Sequence, residues 1–385
     1  MMTDALTAMF DWQMPVALHF GAGVLETLPA RLDGDRVVLL TFAGAEACGL
    51  LSRLRGLLGD QLLHVELVPE GLAELSRLEP LAARLWPIMA RWPETVLLAV
   101  GGGTVLDLAK VLRCRSLDGD AATLEAALCD RGDWPMLSID RLWLVPTTAG
   151  TGSEVTRWAT LWDTGAEPPV KRSFDRPFGH AERALIDPVL TLSCPPAVLR
   201  DAALDALSHA LEAIWNHHAS PLSDLLAVSA ARRVIAALPR AQAEPHDLAH
   251  RSALSLAALE AGLAFAQTRT ALAHALSYAL TLEHGLSHGQ ACACWLVACW
   301  ELAVGHDERV DAGLARVFDT APELGAVHLA RWLGSVGAQA DPAAFGITEA
   351  QDRIRAALDS PRGRNFIAPV PKPFPQEPQI DVPAC

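Results

Sequence analysis

The chain carries the sequence TVLLAVGGGTVLDLAK at residues 95–110, and this stretch decides the fold. The apolar run before the glycines predicts a buried parallel strand, and the residues after them predict a helix. Glycines at such a transition leave backbone N–H groups free to approach a phosphate at the positive end of the helix. The stretch therefore predicts a dinucleotide-binding loop, although a tight structural turn explains three glycines almost as well. It does not follow the GxGxxG pattern.

A second loop of the same kind lies further along the chain. The run LWLVP at 142–146 predicts another buried strand, and residues 146–154 continue as PTTAGTGSE, rich in hydroxyls and glycines. A third apolar run, VVLLTF, occupies 37–42. Such runs separated by helical segments predict an α/β layer, in which loops at the carboxyl ends of neighbouring strands meet. We therefore expect a phosphate and nicotinamide site between the two loops.

The character of the sequence changes near residue 190. Pro195 and Pro196 are followed by Ala- and Leu-rich stretches with helical periodicity. These stretches cover 201–218, 222–238, 248–266 and 290–303. We expect an α/β dinucleotide-binding domain at 1–190, an all-α catalytic domain at 191–370 and a proline-rich tail at 371–385.

Four residues in the helical half have the chemistry of a metal site. Asp205 and His209 are four apart and so share one helix face, while His274 and His288 flank a second helical stretch. Three imidazoles and one carboxylate suit Fe(II) or Zn(II) and are too rich in nitrogen for Mg²⁺ or Ca²⁺. Any one of these histidines is more often an ordinary helix residue. The four together favour a metal centre.

Composition excludes several classes of protein. A chain of 385 residues is too long for one typical core, and a net charge of −14 argues against nucleic acid as a partner. No uninterrupted apolar segment reaches 18 residues, so we expect no membrane span, and the first residues do not have the pattern of a secretory signal. The eight cysteines form no CxxC pair, which favours reduced thiols and a cytoplasmic location.

The motifs GGGTVLDLAK, PTTAGTGSEVT, DALSHALE and HALSYAL, in this order, resemble the iron-containing alcohol dehydrogenase family. The resemblance runs from residue 15 to about residue 330. It implies an N-terminal dinucleotide-binding domain, a helical C-terminal domain with the active site in the cleft, and a homodimer. It also implies hydride transfer between NAD(H) or NADP(H) and a small aldehyde or alcohol.

Matched position by position, the resemblance assigns roles to individual residues. The metal ligands would be Asp205, His209, His274 and His288, with Fe(II) the first choice and Zn(II) the second. The pyrophosphate would contact Gly102, Gly103 and Thr104. Around the ribose and nicotinamide would lie Asp107, Thr147, Thr151, Thr156 and Lys171.

One position departs from the family pattern. Members usually carry a second histidine four residues after the third metal ligand, where this chain has Tyr278, its only tyrosine. That histidine is thought to assist proton transfer. Tyr278 and His284 are the two candidates for the proton donor here. A packed aromatic with a satisfied hydroxyl is an equally good interpretation of Tyr278.

Cofactor and substrate preference follow from the loops. No carboxylate follows the run at 37–42 to hold a ribose 2′-hydroxyl, so NADP(H) is slightly favoured over NAD(H). Lys171, Arg172 and Arg364 lie on segments similar to the phosphonate-associated branch of the family, which reduces phosphonoacetaldehyde to 2-hydroxyethylphosphonate. An aldehyde carrying a dianion would need such cations, although surface charge explains each of them singly.

Three alternatives remain open from the sequence. A zinc polyol dehydrogenase of the glycerol type shares the fold but generally uses three metal ligands. A lyase similar to dehydroquinate synthase shares the layers but needs more basic residues around its substrate. A non-catalytic dinucleotide-binding protein would have no reason to keep four metal-spaced residues.

Overall fold

The computed structural model describes residues 9–368. The proline-rich tail predicted at 371–385 lies outside the described residues. Within them, no helix combines the length and the apolar character that crossing a bilayer requires.

A six-stranded parallel sheet forms the first half of the molecule. The strands are Ala17–Phe20 (β1), Val37–Phe42 (β2), Leu62–Val68 (β3), Val96–Gly101 (β4), Arg141–Pro146 (β7) and Arg183–Ile186 (β10). Their spatial order is β1-β10-β7-β4-β2-β3. Two antiparallel pairs lie beside it, namely Cys114–Ser116 (β5) with Leu137–Ile139 (β6), and Trp158–Asp163 (β8) with Val170–Asp175 (β9). The three strands predicted from apolar runs are confirmed to within one residue at each end.

Helices cover both faces of the sheet, which is why its central strands are apolar throughout. They are Leu28–Leu32 (α1), Leu50–Leu58 (α2), Leu78–Arg91 (α3), Gly103–Leu112 (α4) and Ala121–Leu128 (α5). Successive residues of β2 point to opposite sides, so that Leu39 packs in the core with α1 and α2 while Leu40 packs with α3 and α4. The result is an α/β layer of the predicted class.

The second half of the molecule is helical. Its helices are Pro196–Ile214 (α6), Pro221–Ala243 (α7), Leu248–Thr268 (α8), Leu272–His284 (α9), His288–Ala303 (α10), Glu308–Phe318 (α11), Pro322–Ser335 (α12) and Ala350–Leu358 (α13). Every residue of α6 from Ala203 onward is buried, because α7, α8, α9 and α10 pack around it. Alanines dominate this core and permit close helix contacts.

Glycines allow the two halves to approach each other closely. A β-carbon added at Gly150, in the loop after β7, would lie 2.6 Å from the carbonyl oxygen of Ala202 on α6. One added at Gly152 would lie 2.7 Å from the Cα of Gly262 on α8, and Gly152 also has a φ of +58°. The loop at 147–153 is therefore pressed directly against the helical half.

We predict that Gly150→Ala destabilises the protein by about 1–3 kcal/mol, because the added methyl group overlaps α6 backbone that cannot move freely. A fall in Tm of several degrees in thermal unfolding would show this effect. Gly165→Ala is the matched control, since a β-carbon there meets nothing within 4 Å. Equal Tm values for the two variants would contradict the close contact.

Candidate active site

A cleft of about 840 Å³ lies between the carboxyl edge of the sheet and the helical half. The predicted site residues that line it are Gly103, Thr104, Asp107, Thr151, Thr156, Lys171, Asp205, His209, His274, Tyr278 and His288. The remaining five, Gly102, Thr147, Arg172, His284 and Arg364, do not line it. Most of the predicted constellation is thus brought together in one cavity.

The four predicted metal ligands converge on one point. The Nε2 atoms of His209, His274 and His288 lie 3.8, 3.5 and 3.7 Å from Asp205 Oδ1, respectively. Asp205 and His209 occupy successive turns of α6, His274 lies in the first turn of α9, and His288 is the first residue of α10. Three helices therefore each present a ligand to the same small volume.

The chemistry of this group fits a divalent metal. Asp205 Oδ1 and His274 Nε2 are buried and have no hydrogen-bond partner among the described residues, an arrangement that is costly unless a cation satisfies them. Burial lowers the pKa of His209 to about 4 and that of His288 to about 3, so both rings are neutral at pH 7. Burial alone would raise the pKa of Asp205, but the imidazoles of His209 and His288 more than offset this and keep the carboxyl ionised. Neutral imidazoles and a carboxylate are suitable ligands for Fe(II) or Zn(II).

A buried carboxylate that the sequence interpretation missed orients one of the ligands. Glu212 Oε2 accepts a hydrogen bond of 2.7 Å from His274 Nδ1 and another of 2.7 Å from the backbone N–H of Ala271. With Nδ1 donating to Glu212, a neutral His274 ring has its lone pair on Nε2, facing Asp205, where a metal ion would take the place of a proton. The signal was present in the sequence, because Asp205, His209 and Glu212 follow at i, i+4 and i+7 on one face of α6.

We predict that Glu212→Gln weakens metal affinity about 10–100-fold, the range typical of groups that orient a ligand from behind. The substitution replaces the Glu212 carboxylate with a neutral amide, which holds the His274 ring in the required tautomer less firmly. Competition titration against a chelator measures the change. Glu260→Gln, which alters a carboxylate paired with Arg233, is the control, and an equal loss of affinity in both variants would rule out the orienting role.

The glycine loops lie together at the edge of the sheet. β4 and β7 are neighbours in register, with Gly101 opposite Pro146, so the two predicted loops begin side by side. A β-carbon at Gly103 would lie 2.8 Å from Thr151 Cγ2, which brings the loops into contact. Helix α4 begins at Gly103 with no side chain capping its first N–H groups. This free helix end, open to the cleft, can bind an anion.

The Asp107 carboxylate, on α4, is hydrogen-bonded to the second of these loops. Its Oδ1 accepts a hydrogen bond of 2.7 Å from Ser153 and its Oδ2 one of 2.8 Å from the backbone N–H of Thr160. Burial raises the pKa of Asp107, and the nearby Lys110 ammonium opposes that rise. Asp107 thus joins α4 to the second loop and to β8, in addition to lining the cleft.

Two basic side chains that line the cleft, Lys171 and Arg362, lie close to the ring of Tyr278. Lys171 Nζ lies 3.9 Å from the centroid of the Tyr278 ring, and the Arg362 guanidinium carbon lies 5.4 Å from it. Arg362 also donates to Thr270 Oγ1 at 2.6 Å. Burial and the Arg362 guanidinium lower the pKa of Lys171 well below its usual value. A bound anion would favour the charged form of this lysine.

Two of the predicted substrate residues lie elsewhere. Side chains alternate along β9, so Arg172 points away from the cleft and pairs with Asp163 at 3.1 Å. Arg364 donates to the backbone carbonyl of Asp359. The segment at 360–366 does reach the cleft, but through Arg362, which the sequence interpretation did not single out.

The two proton-donor candidates have different surroundings. The Tyr278 hydroxyl is buried without a hydrogen-bond partner among residues 9–368, and the ring of Tyr278 stacks parallel to that of His288 at 6.4 Å between centroids. His284 lies at the end of α9, partly exposed, with Nε2 3.9 Å from Glu283. Of the two residues, Tyr278 lines the cleft and His284 does not.

Comparison with known proteins agrees with this architecture. The family model described as iron-containing alcohol dehydrogenase matches residues 15–188, and the model of the family's C-terminal part matches residues 200–323. The chain belongs to the iron-containing alcohol dehydrogenase family, as its motifs indicated.

Particular relatives include phosphonoacetaldehyde reductase from Streptomyces viridochromogenes, which is 35% identical over 260 residues. That match covers 63% of this chain and 65% of the relative, just under two thirds of its length. Long-chain-alcohol dehydrogenase 1 from Geobacillus thermodenitrificans is 31% identical over 289 residues, covering 73% and 70% of the two chains. The solved structure of sulfoacetaldehyde reductase from Bifidobacterium kashiwanohense in complex with NAD+ has a TM-score of 0.82 at 24% identity and covers 94% of this chain and 95% of that one. At that identity the likeness concerns the fold.

Proposed function

We propose that this protein is a metal-dependent, NAD(P)H-linked aldehyde reductase that also oxidises the corresponding alcohol. The observation that carries the proposal is the convergence of three imidazole nitrogens on Asp205 Oδ1 in a cleft that also contains the free end of α4. The metal would supply a Lewis acid for the carbonyl oxygen, and the nicotinamide would supply hydride. In the balanced reaction, aldehyde, NAD(P)H and a proton give alcohol and NAD(P)+.

The chain's own residues would position the reactants and deliver the proton. Asp205, His209, His274 and His288 hold the metal, while the N–H groups at Gly103 and Thr104 bind the pyrophosphate. Thr151, Thr156 and Asp107 line the same cleft, where they would lie around the ribose and nicotinamide.

Tyr278 is our candidate proton donor. Burial raises the pKa of its phenol, an effect that Arg362 partly offsets, so the hydroxyl is protonated at neutral pH and available to donate. We predict that Tyr278→Phe lowers kcat by about 10²-fold, the low end for loss of a positioned acid, without changing metal content. Steady-state kinetics of Tyr278→Phe and His284→Ala, measured in parallel, tests which residue donates the proton. A larger loss of kcat in His284→Ala than in Tyr278→Phe would identify His284 as the donor instead.

The substrate we propose is a small aldehyde bearing a phosphonate, with phosphonoacetaldehyde reduced to 2-hydroxyethylphosphonate. Lys171 and Arg362 face the same part of the cleft, and a dianion between them would satisfy both cations. The Streptomyces relative carries the name of that activity. These two observations support an anionic substrate over a plain one.

The choice between NAD(H) and NADP(H) depends on the charges carried by the segments after β2 and β3. No carboxylate follows β2 directly, as the sequence indicated, but Glu70 approaches from the segment after β3, where its Oε1 lies 3.6 Å from a β-carbon placed at Gly44. A carboxylate there would accept hydrogen bonds from a ribose and repel a 2′-phosphate. Both cofactors therefore belong in the assay.

The test is a panel of aldehydes offered to protein reconstituted with Fe(II) or Zn(II). NADPH and NADH oxidation should be faster with phosphonoacetaldehyde than with acetaldehyde or propanal, and should vanish after chelation of the metal. Equal kcat/KM values for charged and plain aldehydes would contradict the phosphonate substrate. Oxidation of glycerol without reduction of any aldehyde would instead favour a polyol dehydrogenase.

A further inference from the structure

A cysteine lies inside the candidate metal centre. Cys292 is one helical turn after His288 on α10, is fully buried, and places its Sγ 3.9 Å from His288 Nε2. Ligand atoms of Asp205, His274, His288 and Cys292 all lie within 4.8 Å of one another. The sulfur therefore belongs to the same cluster of donor atoms as three of the four predicted ligands, and His209 approaches that cluster through Asp205.

These spacings suit a shared ion. Metal–nitrogen bonds of about 2.1 Å and metal–sulfur bonds of about 2.3 Å, at an angle of about 110°, place the two ligand atoms roughly 3.6 Å apart. The 3.9 Å between Cys292 Sγ and His288 Nε2 is close to that separation, as is the 3.5 Å between His274 Nε2 and Asp205 Oδ1. Asp205 Oδ1 and His274 Nε2 are buried and have no hydrogen-bond partner among the described residues, so both atoms are available to a shared ion.

The other cysteines of α10 are placed differently. Cys294 and Cys299 belong to the apolar core of the helical half, whereas Cys292 does not. Helix geometry explains the difference. Cys292 is four positions after His288 and shares its face, whereas Cys294 is six positions after it and lies on another face. Cys299 is eleven positions after His288 and lies about three turns further along the axis. Cys292 is thus the cysteine of this helix that faces the metal ligands.

We propose that Cys292 binds the metal as a thiolate, alongside the carboxylate and imidazole ligands, and that this makes the site more selective for Zn(II) than a purely nitrogen and oxygen site. The inference rests on the metal centre of the proposed function. On binding, the S–H bond breaks, the proton leaves to solvent and an S–metal bond forms, with no change in oxidation state. A soft thiolate favours Zn(II) over Fe(II), which sets the metal that the chain retains.

The test uses Co(II) as a spectroscopic substitute for the native ion. The full-length protein is stripped with a chelator, loaded with one equivalent of Co(II), and its metal content and near-ultraviolet absorption are measured. We expect an intense sulfur-to-cobalt charge-transfer band in the wild-type protein, its loss in Cys292→Ser, and its retention in Cys294→Ser. Zn(II) affinity should fall at least about 10-fold in Cys292→Ser, by analogy with lost supporting ligands.

A second measurement avoids any substitution. X-ray absorption at the zinc edge of the Zn(II)-loaded wild-type protein should show one sulfur neighbour at about 2.3 Å. Bound metal without that neighbour, or Co(II) bound without the charge-transfer band, would overturn thiolate ligation and leave the metal centre intact. Failure to bind either ion would overturn the metal centre, and with it the proposed function.

Discussion

Replacing His274 with alanine is expected to remove the metal and to lower kcat/KM by at least about 10³-fold. The ring supplies one of the three imidazole nitrogens, and Glu212 holds it in position, so alanine removes the ligand most firmly fixed by its surroundings. It also leaves Asp205 and Glu212 as buried carboxylates without their shared partner. Loss of Lewis-acid stabilisation worth several kcal/mol corresponds to a rate change of this size.

Metal analysis and aldehyde-dependent NAD(P)H oxidation measure this effect together. His306→Ala, an exposed histidine after α10, controls for the general effect of losing an imidazole. Because His274→Ala disturbs a buried cluster, circular dichroism must show that the variant is folded. A folded His274→Ala protein with full metal content and unchanged kinetics would contradict the assigned centre.

The second large effect concerns substrate charge. The double variant Lys171→Met, Arg362→Met should lower kcat/KM for phosphonoacetaldehyde by about 10²–10⁴-fold, because two charge-assisted hydrogen bonds worth about 1.5–3 kcal/mol each are lost. Neutral aldehydes do not use these bonds. Their kcat/KM should change far less, so the preference for the charged substrate falls with the double substitution.

The comparison of charged and plain aldehydes in the same variant separates binding of the anion from damage to the active site. Arg172→Met is the matched control, since Arg172 adjoins Lys171 in β9 but pairs with Asp163 outside the cleft. It should leave the ratio of the two kcat/KM values close to that of the wild type. If kcat/KM fell by the same factor for both substrates, so that their ratio was preserved, Lys171 and Arg362 would not bind the anion.

The parts of the structure that the sequence predicted are those governed by local periodicity. The apolar runs at 37–42, 95–100 and 142–146 became the central strands because parallel strands buried on both faces must be apolar throughout. The Asp205–His209 spacing translated directly into one face of α6. These features depend on a few neighbouring residues. The arrangement of distant segments was predicted separately, from the order of the motifs along the chain and their resemblance to a family.

The parts that could not be predicted depend on contacts between distant segments. The edge strand β1 and its neighbour β10 have only four residues each, and the edge strand β3 is interrupted by His64 and Glu66, so their sequences carry little signal. Arg362 lines the cleft, and Cys292 lies beside the predicted metal ligands, only because α6, α9, α10 and the segment after α13 come together there. The charge of Arg172 made it a candidate for binding an anionic substrate. Because side chains alternate along β9, however, its side chain points away from the cleft.

Stoichiometric metal titration tests the central claim most directly. Protein stripped of metal is titrated with Fe(II) or Zn(II) while aldehyde-dependent NAD(P)H oxidation is followed. We predict no activity without metal and a linear rise that ends at one ion per chain, the number that Asp205 and its three histidines can hold together. Full activity in the stripped protein, or saturation without any gain in activity, would contradict the account.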